Sequence, residues 1–345
     1  MKKVKFALVG AGDGIGKFHL KALLENKDAE LVSVCDINES TLKALCDTYG
    51  PLPVCTDYHE LLKKELVDAV CIATPDQLHR EMVVNFLSAG IHVLCEKPLA
   101  LHSEDCKAML EAEINSTAKL MVGQVCRKTP GFIKAKEIVD AGLIGELLFV
   151  ESEYAHDYSH MPLHWRNDPK NPRHPVTGGG CHAVDLLRWI VGDPTEAYAY
   201  TNKKVLGDAW PCDDTAIAVL KFPNDVMGKV FVSTGCKRDY TMRTVLYGTK
   251  GTVITDNTSP QISLFLESFE GRNSFLGSPM QSIEIKLPVT INNHNVGEEI
   301  NDFVNILVQD KEVDIPGREG AATIAVCEAI IKSAASGKPE TIQYL

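Results

Sequence analysis

Clusters of positive charge are scarce in this sequence. Beyond Lys2, Lys3 and Lys5 there is no Lys/Arg-rich run, and 46 acidic against 35 basic residues give a formal net charge of −11. A phosphate-backbone partner, and with it nucleic acid binding, is disfavoured. Long apolar runs are missing too: nothing approaches the roughly 20 residues that span a bilayer. The opening FALVGAGDGIG is too short and too glycine-rich for a signal core, and it reads as a first strand. The expected location is cytoplasmic. Eleven cysteines are present, yet there is no CxxC, and the odd number and scattered spacing suggest neither a disulfide framework nor a zinc knuckle. Several sit in apolar runs such as VSVCD and HVLCE, where Cys behaves as a small hydrophobe. Internal repeats and low-complexity tracts are lacking as well. What remains is a chain of 345 residues, 45% hydrophobic, long enough for a substantial core and about two domains.

Apolar strands alternate with helical patterns over the first third. KVKFALVG, AELVSVCD, PVCT, LVDAVCIAT, IHVLCE and AKLMVG are the strands; helices are expected near 15–26, 39–49, 58–64, 76–89 and 103–115. Such alternation predicts a parallel sheet with helices on both faces. After about residue 145 the pattern changes to successive extended segments, from ELLFVESEY through EAYAYTN, TAIAVLKF, MGKVFVSTG, RTVLYGT and GTVITD to QISLFLESF. Turn residues punctuate them, which suits a largely antiparallel sheet. The predicted division is 1–122 and 123–345, with a last helix at about 320–336 stopped by Gly337 and Pro339 and able to pack back on the first domain.

The first turn reads LVGAGDGIGKFH, with Gly10, Gly12, Gly14 and Gly16 between strand and helix. Glycines there let backbone N–H groups approach a pyrophosphate at a positive helix end. The spacing departs from GxGxxG, because position 15 is Ile15 and the last glycine arrives one residue late. Asp36 follows 24 residues after Gly12. An acid at that strand end would bind ribose hydroxyls and repel a 2′-phosphate, favouring NAD over NADP; capping the next helix is its other reading.

CEKPLAL places Lys97 at the carboxyl end of an apolar run, the rim where open α/β sheets bind ligands. The bland reading is a surface pair of Glu96 with Lys97. An unperturbed lysine near pKa ~10.4 accepts protons poorly at neutral pH, so without burial or a nearby cation it polarises and orients. In TGGGCHAVDLLRW, three glycines lead into His182 and a helical pattern follows. An imidazole near pKa ~6.5 is matched to proton transfer from an alcohol. Asp185, one turn on, suits orienting His182 or capping the helix. The segment YAHDYSHMPLHWRNDPKNPRHPVT carries His156, Tyr158, His160, His164, Trp165 and Arg166. His156, His160 and His164 have helical spacing, but four prolines argue for irregular chain and against a metal site. Rings beside polar groups suit a carbohydrate.

These segments together resemble the Gfo/Idh/MocA oxidoreductases over nearly the whole length. The most specific stretch is IATPDQLHREMVVNFLSAGIHVLCEKPLAL, followed by VGQVCRKTPGFIKAKEIVDAGLIGELLFVESEY and GGGCHAVDLLRW. The resemblance implies an N-terminal Rossmann domain and a C-terminal α/β domain with a large, open, mostly antiparallel sheet. It implies NAD contacts from Thr74, Pro75, His79, Glu96 and Lys97, catalysis by Lys97 and His182, and a substrate site including Arg127 and Asp185. Many polyol dehydrogenases of the family carry an aspartate four residues before the histidine; here that place is Gly178. The implied activity is hydride exchange between a ring hydroxyl or ketone of a sugar, glycoside or cyclitol and nicotinamide. The rivals are a redox-neutral cycle with NAD retained, and a non-catalytic NAD-binding sensor. A homodimer or homotetramer, with no membrane partner, is expected.

Overall fold

The computed structural model describes residues 3–12, 14–63, 65–161, 165–273, 279–292 and 294–345. The chain divides into two compact units. The first comprises Met1–Val125, Asn295–Ile324 and Tyr344–Leu345. It opens with β1 (Val4–Val9), α1 (Ile15–Glu25), β2 (Ala29–Cys35), α2 (Glu39–Tyr49), β3 (Val54–Cys55), β4 (Ala69–Ile72), α3 (His79–Ser88), β5 (His92–Glu96), α4 (Ser103–Ile114) and β6 (Leu120–Gly123). The strands form one six-stranded sheet, ordered β3-β2-β1-β4-β5-β6 and parallel throughout. β4 and β6 are buried at every residue, as covered parallel strands must be. The helix expected over 58–64 is only a 3₁₀ turn, Tyr58–Leu61. Its two apolar anchors, Tyr58 and Leu61, are three apart, and a 3₁₀ turn stacks such a pair on one side.

The second unit comprises Cys126–His294 and Ala325–Gln343. Its elements are α5 (Pro130–Asp140), β7 (Leu147–Ala155), α6 (Pro175–Gly178), α7 (Cys181–Val191), β8 (Glu196–Asn202), β9 (Thr215–Lys221), β10 (Met227–Ser233), β11 (Thr241–Gly248), β12 (Gly251–Asp256), β13 (Gln261–Asn273), β14 (Pro279–Pro288) and β15 (Glu340–Thr341). The nine strands run β14-β13-β12-β11-β7-β10-β9-β8-β15, antiparallel except for β7 beside β10. Strict alternation along β9 buries Ala216, Ala218 and Leu220 and exposes Ile217, Val219 and Lys221. The inner face joins Val184, Leu186 and Leu187 of α7 in one core. Among the described residues of 156–174 the chain is irregular apart from one 3₁₀ turn at Trp165–Asn167, in keeping with Pro169 and Pro172.

Two further helices complete the chain: α8 (Val296–Gln309), in the first unit, and α9 (Gly317–Ser336). Helices α5 and α8 go beyond the elements read from the sequence. Val296, Ile300, Phe303 and Val304 of α8 enter the core that holds Phe6, Leu8 and Leu20. α9 starts three residues ahead of expectation because Pro316 presets its first turn, with Glu319 N–H donating to Pro316 O at 2.9 Å. It ends at Gly337, whose φ of 66° and bond to Ser333 O (2.9 Å) make a left-handed stop. Among the described residues, no helix is long and apolar enough to cross a membrane.

Candidate active site

In the first unit, the glycine turn lies after β1. Gly10 adopts φ 89°, and a Cβ there would stand 2.7 Å from the Ala73 carbonyl, so backbone passes backbone at the ends of β1 and β4. A Cβ on Gly12 would meet the Asp36 carboxylate at 2.9 Å. Gly14, the residue before α1, has φ 64° with open space beside it, and Gly16 packs against the Gly10 carbonyl. The offset fourth glycine therefore does the helix-to-strand packing, and the tip stays uncovered. Asp36 follows the last residue of β2. The cap of α2 is Asn38, whose side chain accepts from Ser40 and Thr41 N–H, so Asp36 is not its cap. Its Oδ1 accepts from Asn38 N–H at 3.0 Å. Half-buried Ile15 opens α1.

Lys97 leaves the carboxyl end of β5, half-buried, and its peptide to Pro98 is cis. Among the described residues no hydrogen bond or ion pair holds its ammonium group. His79 is fully buried, with Nδ1 3.0 Å from Pro98 O and Nε2 3.1 Å from Thr74 O. The ring thus sits between the loop after β4, with half-buried Thr74 and Pro75, and the turn after β5, and its one N–H donates to one of the two carbonyls. Glu96 is buried and accepts from Lys97 N–H. These two side chains brace the turns from within.

In the second unit, His182 occupies the first turn of α7, 1% exposed, with Nδ1 3.3 Å from Cys126 Sγ. Gly179 and Gly180 allow this entry: a Cβ on Gly179 would strike the Tyr154 ring, and one on Gly180 would strike Val232. Gly178 faces the Arg173 guanidinium, whose Nη2 donates to Gly178 O at 3.2 Å. The place of the aspartate in many polyol dehydrogenases is filled here by a cation from the preceding loop. Asp185 lies one turn further along α7, fully buried. It accepts a fork from Arg127, Nε to Oδ2 at 2.8 Å and Nη2 to Oδ1 at 2.6 Å, with Arg188 Nη1 at 3.9 Å. Arg127 and Asp185 are 7% and 0% exposed.

Around His182 stands an aromatic group: Tyr154 stacks on it at 6.5 Å, His294 meets it edge-on at 5.9 Å, and Tyr240 stacks on His294 at 5.4 Å. His156 contacts Tyr158 and Tyr240, both at 5.1 Å, and the Tyr154 and Tyr158 hydroxyls lie 2.9 Å apart. Burial, followed by neighbouring phenols, pushes Tyr154 well above the ordinary tyrosine range, and burial does the same to Tyr240. These phenols stay protonated donors. Tyr240 and His294 carry no sequence motif; Tyr154 shows only as an inward position of a strand. Trp165 has the Arg166 guanidinium over its ring at 4.4 Å and that of Arg173 at 5.3 Å. Arg166, Arg173, Tyr158, Trp210 and Asp213 line one small cavity. His160 is exposed near Asp157, and His164 lies outside the described residues.

His174 gives this loop a pH response. Burial lowers its pKa from 6.5 to about 4, against the opposing charge of Asp213. Its Nδ1 accepts the Val176 N–H at 3.2 Å, capping α6, and protonation removes that acceptor. The unfolded chain then binds more protons than the folded one between about pH 4 and 6.5. Stability should fall by about 3 kcal/mol on acidification through that window and lose nothing more from this group below it. Urea unfolding across the window measures the loss. His174→Asn, which keeps a capping oxygen, should flatten it; an unchanged slope refutes the assignment.

Residues 4–124 match the model of an oxidoreductase family with an NAD-binding Rossmann fold, and residues 132–254 match the GFO/IDH/MocA C-terminal domain. An inositol 2-dehydrogenase of Rhizobium meliloti (strain 1021) is 29% identical over 346 residues, covering 98% of this chain and 99% of that enzyme. A myo-inositol 2-dehydrogenase of Thermotoga maritima is 30% identical over 269 residues, 74% of this chain and 75% of that one. A levoglucosan dehydrogenase solved with NADH superimposes with a TM-score of 0.88 over 100% of both chains at 21% identity, a likeness of fold. The glycine turn, the Glu96-Lys97-Pro98 turn and the two sheets are therefore those of a member of the Gfo/Idh/MocA oxidoreductase family, to which this chain belongs.

Proposed function

We propose that this chain is an NAD-dependent dehydrogenase of a ring hydroxyl in a sugar, glycoside or cyclitol, working on the corresponding ketone in reverse. One observation carries the reading: the glycine turn, Asp36 and Lys97 all issue from carboxyl ends of one parallel sheet, where such sheets bind ligands. Similarity to inositol 2-dehydrogenases supports the substrate class. NAD supplies the hydride acceptor.

The turn Gly10–Gly16, with Ile15, offers backbone N–H groups to the pyrophosphate, and Asp36 accepts from the adenosine ribose. Thr74 and Pro75 border the nucleotide, while His79 and Glu96 hold their turns in place. His182 takes the hydroxyl proton, and Lys97 polarises the same oxygen. His156, Tyr158, Trp165 and Arg166 face the ring, and the buried Arg127–Asp185 pair holds the next turn of α7. As functional domains we propose 1–122 for NAD and 123–345 for substrate and assembly, with Asn295–Ile324 belonging to the first compact unit.

The outward face of the larger sheet leaves Tyr200, Ile217, Val219, Met227 and Tyr247 exposed, a surface suited to a second copy in a homodimer or homotetramer. Eleven free cysteines suit a cytoplasmic setting.

Asp36→Ala should raise KM for NAD roughly 10- to 100-fold, the loss of about 1.5–3 kcal/mol of charged hydrogen bonding, and should narrow the preference over NADP. Assay across a panel of sugars and cyclitols tests the activity itself. Net NADH supports the dehydrogenase, product without net NADH the redox-neutral cycle, and NAD binding without hydride exchange the sensor.

A further inference from the structure

The first unit encloses a group of ionisable side chains that the proposed reaction does not use. His19 of α1, Glu96 at the end of β5 and Glu299 in the first turn of α8 bring ligand atoms within 4.8 Å of one another, at 1%, 5% and 0% exposure. The residue types are those of a divalent-cation site. Yet His19 Nε2 and Glu96 Oε1 are 2.8 Å apart, closer than the roughly 3 Å or more between two atoms ligating one ion at about 2.1 Å. A proton joins this pair.

The direction of that bond follows from Glu96. Burial pushes its carboxyl up, but the hydrogen bond and charge of His19, with the charge and N–H of Lys97, outweigh burial and hold it below the ordinary range. An ionised carboxylate only accepts, so His19 Nε2 carries the proton. The other oxygen, Oε2, accepts the Lys97 N–H at 3.1 Å. A line of bonds thus runs from α1 through the Glu96 carboxylate to the backbone of Lys97. The helix at its far end is the one that opens at the glycine turn.

We infer that His19 is a positioning residue: by clamping Glu96, with Glu299 beside them both, it locks the backbone from which Lys97 projects to the helix that follows the glycine turn. Glu299 comes from a segment more than 200 residues downstream of Lys97, so α8 contributes to the arrangement as well as covering the sheet. The inference rests on the proposed role of Lys97 and adds a residue to it.

A double-mutant cycle in the full chain tests it, with NAD affinity and melting temperature measured alongside. His19→Leu should lower kcat about 10-fold or more with KM for NAD within about 3-fold. His19→Gln, whose amide N–H can replace Nε2–H, should recover kcat to within about 3-fold of the parent. In the Lys97→Ala background His19→Leu should add almost nothing, because a group acting through Lys97 has no effect once Lys97 is gone. Additive losses, or a leucine variant as fast as the parent, overturn the role of His19 alone. Parental turnover in Lys97→Ala overturns both the proposed mechanism and this inference. Should the leucine variant not fold, His19→Asn, whose shorter amide stops short of Glu96, runs the same cycle.

Discussion

His182→Asn should lower kcat by about 10²–10⁴-fold while NAD binding and folding persist, the range expected when a positioned acid–base group is lost. Asparagine keeps polarity at a site that is 1% exposed, so the loss reports chemistry more than collapse. The neighbouring phenols do not substitute, since burial raises Tyr154 and Tyr240 well above the usual tyrosine range. Residual activity should climb with pH, because the substrate must then ionise without a partner. Lys97→Ala should chiefly lower kcat as well, by roughly 10²–10³-fold, the scale for removing one donor from a developing oxyanion. Steady-state rates of NADH formation measure both. Turnover equal to the parent in either variant refutes the role given to that residue.

Arg127→Ala should cost about 3–5 kcal/mol of unfolding free energy, since it takes the forked cation away from the Asp185 carboxylate at 0% exposure. Arg188 Nη1, at 3.9 Å, is too far to replace a fork with bonds of 2.6 and 2.8 Å. The double variant Arg127→Met with Asp185→Leu should be markedly less destabilised, because apolar partners of similar volume leave no buried charge. Denaturant unfolding of the two proteins makes the comparison. Arg127→Ala with parental stability and a raised KM for the sugar would instead make Arg127 a substrate ligand.

Much of this molecule is legible in its sequence. The strands from β7 to β12 follow from alternation and turn residues alone, because a half-exposed antiparallel sheet writes its two faces into every second position. The first sheet is equally plain, and the glycine turn with Asp36 marks the nucleotide end. α8 is less plain: Val296, Ile300, Phe303 and Val304 have helical spacing, but the segment follows a run of strands and an Asn-rich stretch that obscures it. Pairings across long separations leave no local trace. His182 and Asp185 are spaced as though the acid served the histidine, yet the carboxylate meets Arg127, 58 residues earlier. His19 looks like a core histidine on the buried face of α1; only the fold brings Glu96, 77 residues on, to its ring. Tyr240 and His294 likewise join the site through sheet geometry, with nothing local to announce them.

The most direct test follows the hydrogen. A cyclitol or sugar substrate deuterated at the reacting ring carbon is turned over with NAD, and released dinucleotide is analysed by mass. The account predicts one deuterium per released reduced nucleotide and a slowed transfer in both Lys97→Ala and His182→Asn. Product formed with no deuterium in the dinucleotide would contradict it.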